Sequence, residues 1–148
     1  MPDDNPFPNY NQRTAEGIAT SHDGGGGLIG YLGLRVTDFG PGRLRCEIDV
    51  RDELFTPFGN LHGGVIAALC DHVLGTVLYP VIPRGAWAAT TEFKLNYLAA
   101  VTEGTLAAEA VIAALTNRTA VVRIDVTNDG RPTAIAQGTV LIVAPKKR

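Results

Sequence analysis

The sequence predicts an α+β fold: a curled antiparallel sheet of five or six strands around one long central helix. Three observations carry this. Stretches of apolar–polar alternation recur from Gly33 to the C-terminus, the period of strands with one buried and one wet face. Residues 63–79 read differently, with Val65, Ile66, Leu69, Val73, Leu74, Val77 and Leu78 covering nearly every helical face, the mark of a helix enclosed by other structure. The strand candidates after that helix follow one another through short connections, which implies antiparallel pairing because parallel neighbours need a crossover of a dozen residues or more.

Taken in order, residues 1–30 are expected to be a flexible lead-in, rich in Asn, Pro, Asp and Gly, with a short helix around "QRTAEGIAT". The tract Gly24 to Gly27 loses too much backbone entropy to sit inside an element. A single domain is expected over residues 31–148. It opens with a hairpin: "LGLRVTDFGPG" supplies a strand and a Gly/Pro turn, and "RLRCEIDVR" alternates Leu44, Cys46, Ile48 and Val50 with charged residues. Residues 52–61 form a loop through Pro57 and Gly59, and the helix that follows must stop by Pro80. Alternation resumes at Phe93, Leu95 and Tyr97, then in "TLAAEAVI", "AVVRIDVT" and, after the turn "NDGRP", "AIAQGTVLIV".

Composition narrows the function. At 148 residues, 45% hydrophobic, with net charge −2, the chain fits one domain and presents no global positive field toward nucleic acid or an anionic membrane. The closing Lys146, Lys147 and Arg148 read as a solvated tail. Cys46 and Cys70 fall within a strand and the apolar helix, so both are expected to be reduced core thiols, which favours a cytoplasmic location. The acidic, Pro-rich start does not match a secretory signal, and no apolar run reaches the roughly 18 residues that a membrane span needs.

The segment "GNLHGGVIAALCDHVLG" raises the chemical question, because a carboxylate, Asp71, lies in the middle of an apolar helix. An ionised carboxylate in such packing needs a partner, a raised pKa or access to water. One answer is surface access or an ion pair; the other is a general base or nucleophile at a cleft. Gly63 and Gly64 at the helix start offer exposed backbone N–H groups along the helix dipole, suited to an oxyanion or a carbonyl oxygen. Eight residues of helix separate Gly63 from Asp71, about 12 Å, too far to grip one carbonyl carbon. Two chains packed about a two-fold axis would bring Asp71 of one opposite Gly63 of the other, so a homodimer is expected. A cysteine hydrolase built on Cys70 with His62 or His72 is disfavoured because adjacent helix positions point apart. A metal site on His62, Asp71 and His72 lacks an i, i+3 or i+4 ligand pair, so neither metal nor cofactor is expected.

Together, "TPFGNLHGGVIAALCDHVLG", "TTEFKLNYL" and "RTAVVRIDVTNDGRPTAIAQGTVLIV" resemble the hotdog-fold acyl-CoA thioesterases, in particular the phenylacetate-degradation (PaaI-like) branch near the 4-hydroxybenzoyl-CoA thioesterases. The resemblance runs from about Gly33 to Val143. It implies the hotdog fold and hydrolysis of an acyl-CoA, small aromatic or short to medium chain, to free acid and coenzyme A. Asp71 inherits water activation or attack on the thioester, Gly63 N–H polarises its carbonyl, and His62 shapes that end of the site. Thr90, two positions before Glu92, helps to hold water, and Arg118 in "TNRT" meets coenzyme A phosphates. Thr56 stands where the family's loop carries Asn, so a hydroxyl replaces an amide that contacts the thioester region. The expected assembly is a homodimer that pairs again into a tetramer, with no nucleic-acid or membrane partner. A non-catalytic acyl-CoA-binding hotdog dimer is the alternative, against which the retention of Asp71 with His62-Gly63-Gly64 argues.

Overall fold

Alternation in the sequence becomes six strands in the computed structural model, which describes residues 6–22 and 24–145. The basic tail lies outside those residues. The elements are α1 (Gln12–His22), α2 (Gly27–Leu32), β1 (Arg35–Gly40), β2 (Arg43–Asp49), a 3₁₀ turn at Asp52–Leu54, α3 (Gly63–Thr76), β3 (Trp87–Tyr97), β4 (Thr105–Leu115), β5 (Thr119–Asn128) and β6 (Arg131–Val143). All neighbours pair antiparallel in the order β1-β2-β4-β5-β6-β3. This is the hotdog arrangement, with α3 packed against β2 through β6 inside the curl of the sheet.

Inward residues of the strands close on the buried face of α3. Cys46, Ile48, Leu106, Val122, Ile124, Val126 and Val140 meet Leu69, Cys70, Val73 and Leu74, all at most 1% exposed. Both cysteines are free thiols, which burial pushes up to about 12. The helix is central without being enclosed: Gly64 and Asp71 are exposed, and Ala67, Ala68 and Gly75 are only partly covered. Its regular part ends at Thr76 rather than 79, after which tighter turns run on to Ile82.

β3 begins six residues earlier than alternation indicates, because as the edge strand it has no buried residue and its first half carries no apolar–polar contrast. A bulge between Thr90 and Glu92 shifts its register against β6. Ala88 and Thr90 therefore face the helix, as do Phe93, Leu95 and Tyr97 beyond the bulge, paired in turn with Ile142, Val140, Gly138, Ala136 and Ala134. Gly138 makes this possible, since a Cβ there would lie 2.5 Å from Phe93 Cβ and 2.6 Å from Glu92 O. Gly138→Ala must displace backbone at the bulge, so thermal denaturation should show a loss of about 1–3 kcal/mol; an unchanged melting temperature would mean that the bulge does not depend on this contact.

The short helix expected near "QRTAEGIAT" is α1, which packs on β1 and buries Ala15. The glycine tract is partly inside an element after all: Gly27 opens α2, and the Gly25 carbonyl passes so close to Gly30 that a Cβ there would lie 1.7 Å from it. Close backbone approach therefore fixes Gly30, while Gly24 and Gly27 serve by taking the left-handed conformation, at φ +70 and φ +67.

Candidate active site

The loop before α3 is built by short hydrogen bonds. Thr56 N–H donates to Asn60 O at 2.8 Å, Gly59 N–H donates to Thr56 O at 3.1 Å, and Phe55 bridges Leu61. The Thr56 hydroxyl is engaged inside this turn, donating to Asn60 Oδ1 at 2.9 Å and accepting from Phe58 N–H at 3.2 Å. His62, held by its N–H to Leu54 O, is the N-cap of α3, and its Nδ1 accepts from Gly64 N–H at 2.8 Å. That bond leaves the ring proton on Nε2. Gly64 must be small, since a Cβ would lie 2.9 Å from His62 Nδ1.

A helix start leaves its first N–H groups without intrahelical partners. Here Gly64 N–H goes to the His62 ring and Val65 N–H to His62 O, while Gly63 N–H makes no hydrogen bond among the described residues. Gly63 thus presents one open donor at the positive end of α3. Tyr97, at the end of β3, secures the same residue from the other side. Its phenol donates to Gly63 O at 2.9 Å, and a Cβ on Gly63 would lie 3.0 Å from Tyr97 Oη. A groove of about 510 Å³ opens here, walled by Asn60, His62, Gly63, Ile66, Tyr97 and Leu98.

Asp71 lies two turns further along α3, exposed, with no ion pair or hydrogen bond to its carboxylate among the described residues. Access to water, rather than a buried partner, is how this apolar helix accommodates it. Its neighbours point elsewhere. Cys70 is fully buried. His72 turns to α1, where its Nε2 lies 2.7 Å from His22 Nε2 and 3.3 Å from Thr76 Oγ1. Burial, reinforced by His22 and opposed by Asp71, lowers the His72 imidazole to about 4, so it is uncharged at neutral pH and ties α1 to α3.

The site residues fall into two groups. α3 runs antiparallel to β3, with Gly63 against Tyr97 and Gly75 against Ala88. His62, Gly63, Gly64 and Thr56 share one end with Asn60 and Tyr97. Asp71 belongs to the other half, as does Thr90, seven positions before Tyr97 on the helix-facing side of β3, roughly 20 Å along the strand. Arg118, in the β4–β5 turn, is at that second end as well: its carbonyl accepts from Ile142 N–H, and Ile142 pairs with Ala88. Its side chain is exposed. One chain therefore supplies an amide at one end and a carboxylate with a hydroxyl toward the other. Asn60 and Tyr97 are site-lining residues that the sequence reading missed. Tyr97 read only as one of three alternating apolar positions in "FKLNY", although an aromatic residue with a polar tip closing an edge strand was the available signal.

Known proteins resemble this chain in sequence and in fold. The thioesterase superfamily model matches residues 58–135. A Halobacterium salinarum protein named as an esterase is 30% identical over 122 residues, which covers 76% of this chain and 80% of its own length. Human acyl-coenzyme A thioesterase 13 is 29% identical over 99 residues, 66% of this chain and 70% of its own. A mutant form of the phenylacetic acid degradation protein PaaI from Thermus thermophilus superposes with a TM-score of 0.69 at 28% identity, covering 75% of this chain and 94% of that one.

Proposed function

From the premise that this chain belongs to the thioesterase superfamily, we propose that it hydrolyses acyl-CoA thioesters at two equivalent sites on a homodimer. The observation that carries the reading is the pairing of an open Gly63 amide at the head of α3 with an exposed, unpartnered Asp71 two turns along the same helix. The name of the human relative supports an acyl-CoA substrate, and that of the Thermus relative a place in the PaaI-like branch.

Asp71 takes a proton from water as the water oxygen attacks the thioester carbonyl carbon. The N–H of Gly63 of the partner subunit stabilises the oxyanion that develops on the carbonyl oxygen. The tetrahedral intermediate then collapses, the carbon–sulfur bond breaks, and the departing thiolate recovers the proton from Asp71. Free acid and coenzyme A leave, and no oxidant, reductant or cofactor is consumed. Thr90 holds the water from β3, and His62 fixes the cap so that Gly63 alone remains open.

Two features support the dimer. β3 is an eleven-residue edge strand whose outer N–H and C=O groups await a partner, and the uncovered side of α3 carries the small residues Gly64, Ala67, Ala68 and Gly75 around Asp71. A second copy pairing along β3 in antiparallel fashion would bring its Tyr97 end to this chain's Thr90 end. Pairing of dimers into a tetramer is part of the same proposal. Sedimentation should give a dimer or larger; a stable monomer that hydrolyses acyl-CoA would contradict the shared site.

A panel of aromatic and short to medium-chain acyl-CoA substrates, followed by free thiol release, tests the activity. Turnover of at least one is expected; tight binding of all without turnover would favour the acyl-CoA-binding alternative. If Arg118 meets coenzyme A phosphates, Arg118→Ala should raise KM with kcat little changed, the pattern of lost uniform binding. An unchanged KM would return Arg118 to the role of a solvated turn residue.

A further inference from the structure

A cavity of about 770 Å³ lies away from the Gly63 groove, between the start of α1 and the connection from α3 to β3. Such a volume is that of a small-molecule site rather than of a single ion. Arg13 reaches it from α1 and Arg84 from the connection, and none of the residues lining it is acidic. Both guanidinium groups are exposed and have no carboxylate partner among the described residues, whereas Arg35, Arg43, Arg45 and Arg51 each pair with an Asp or Glu. Glu16, the only acid of α1, is held by Gln12 Nε2 at 3.0 Å.

The start of α1 adds to this charge. Asn11 is anchored through its N–H to Pro80 O at 2.7 Å, and its side chain takes Thr14 N–H at 3.0 Å. The N–H groups of Gln12 and Arg13 are left without hydrogen bonds among the described residues, at the positive end of an eleven-residue helix. Tyr79, Ile82 and Ala86 supply an aromatic and apolar wall beside the arginines. Phosphate-binding groups beside a surface suited to a flat base point to a phosphorylated nucleoside, where an inorganic anion would leave the apolar wall unused.

Position connects the cavity to the proposed chemistry. α1 runs from this cavity, at Asn11 and Pro80, to His22 and its contact with His72, the residue next to Asp71. Eleven helical residues span about 16 Å. Coenzyme A separates its sulfur from its pyrophosphate by an extended pantetheine arm of comparable reach. Resting on the thioesterase reading above, we infer that this cavity holds the 3′-phosphorylated ADP end of coenzyme A, with Arg13 and Arg84 on its phosphate oxygens and Tyr79 and Ile82 against its adenine.

Adenosine 3′,5′-bisphosphate is the direct probe, titrated calorimetrically into the full-length protein. It should bind the wild type, and the double variant Arg13→Ala/Arg84→Ala should bind about tenfold more weakly, as expected for lost charged hydrogen bonds, with the melting temperature unchanged. With benzoyl-CoA or another acyl-CoA that the enzyme turns over, KM should rise by a similar factor while kcat stays level. The matching N-acetylcysteamine thioester, which lacks the nucleotide, should be turned over equally well by both proteins. Absence of bisphosphate binding by the wild type, equal binding by the variant, displacement by equimolar inorganic phosphate, or an equal loss on the truncated thioester would each overturn the assignment. Failure of the wild type to hydrolyse any acyl-CoA would sink the thioesterase reading instead, and the bisphosphate titration would still decide what the cavity holds.

Discussion

Asp71→Asn should lower kcat for acyl-CoA hydrolysis by about 10²–10⁴, the range of a lost general base, while the protein stays folded and still binds acyl-CoA. The substitution keeps the shape of the side chain and removes its basicity. It orphans nothing, because the carboxylate is exposed and has no ion-pair or hydrogen-bond partner among the described residues. Stability should therefore hold or rise slightly, as expected at a position kept for chemistry rather than for folding. A structural Asp71 would behave in the opposite way, lowering the melting temperature by several degrees through an unpaired partner. Full activity in a folded Asp71→Asn protein would remove the carboxylate from the mechanism.

Gly63→Pro should be nearly as damaging, by about 10²–10³ in kcat, the loss measured when one oxyanion donor is deleted. Proline removes the N–H and nothing else from the backbone. The first helical position tolerates it, since its amide has no intrahelical partner, and His62 is already extended at φ −65, ψ 131, as a residue before proline must be. Proline also adds a Cβ that crowds Tyr97, which Gly63→Ala adds as well while keeping the donor. The difference between the two variants isolates the hydrogen bond. Equal activity in both would show that crowding against Tyr97, and not the amide, is what matters at this position.

Most of the fold was legible because strand and helix periods differ and few other signals compete with them. Inward Leu44, Cys46 and Ile48 of β2 and the apolar faces of α3 could be placed from spacing alone. The first half of β3 could not, because an edge strand with no buried residue on either face shows no contrast, and the bulge after Thr90 depends on the missing side chain of Gly138, nearly fifty residues away. The contact between His22 and His72, fifty positions apart, was hidden for the same reason. At the site, the amide and the carboxylate were legible as residue types that an apolar helix does not need. The contacts around the amide were not. Tyr97 reaches Gly63 only because α3 runs antiparallel to β3, and the Thr56 hydroxyl is drawn into its own turn by Asn60. The sequence reading also took α3 to be covered on all sides, whereas the face around Asp71 is open.

That open face makes the shared site the central claim, and a mixed dimer tests it most directly. Asp71→Asn and Gly63→Pro chains carrying different tags would be co-expressed and the heterodimer isolated through both tags. If each site takes its carboxylate from one chain and its amide from the other, both lesions fall in one site and the second site is intact. The heterodimer should then recover roughly half of wild-type activity, as the two-fold symmetry requires, although each parent homodimer is nearly inactive. A heterodimer no more active than its parents would place amide and carboxylate in the same chain's site and contradict the account.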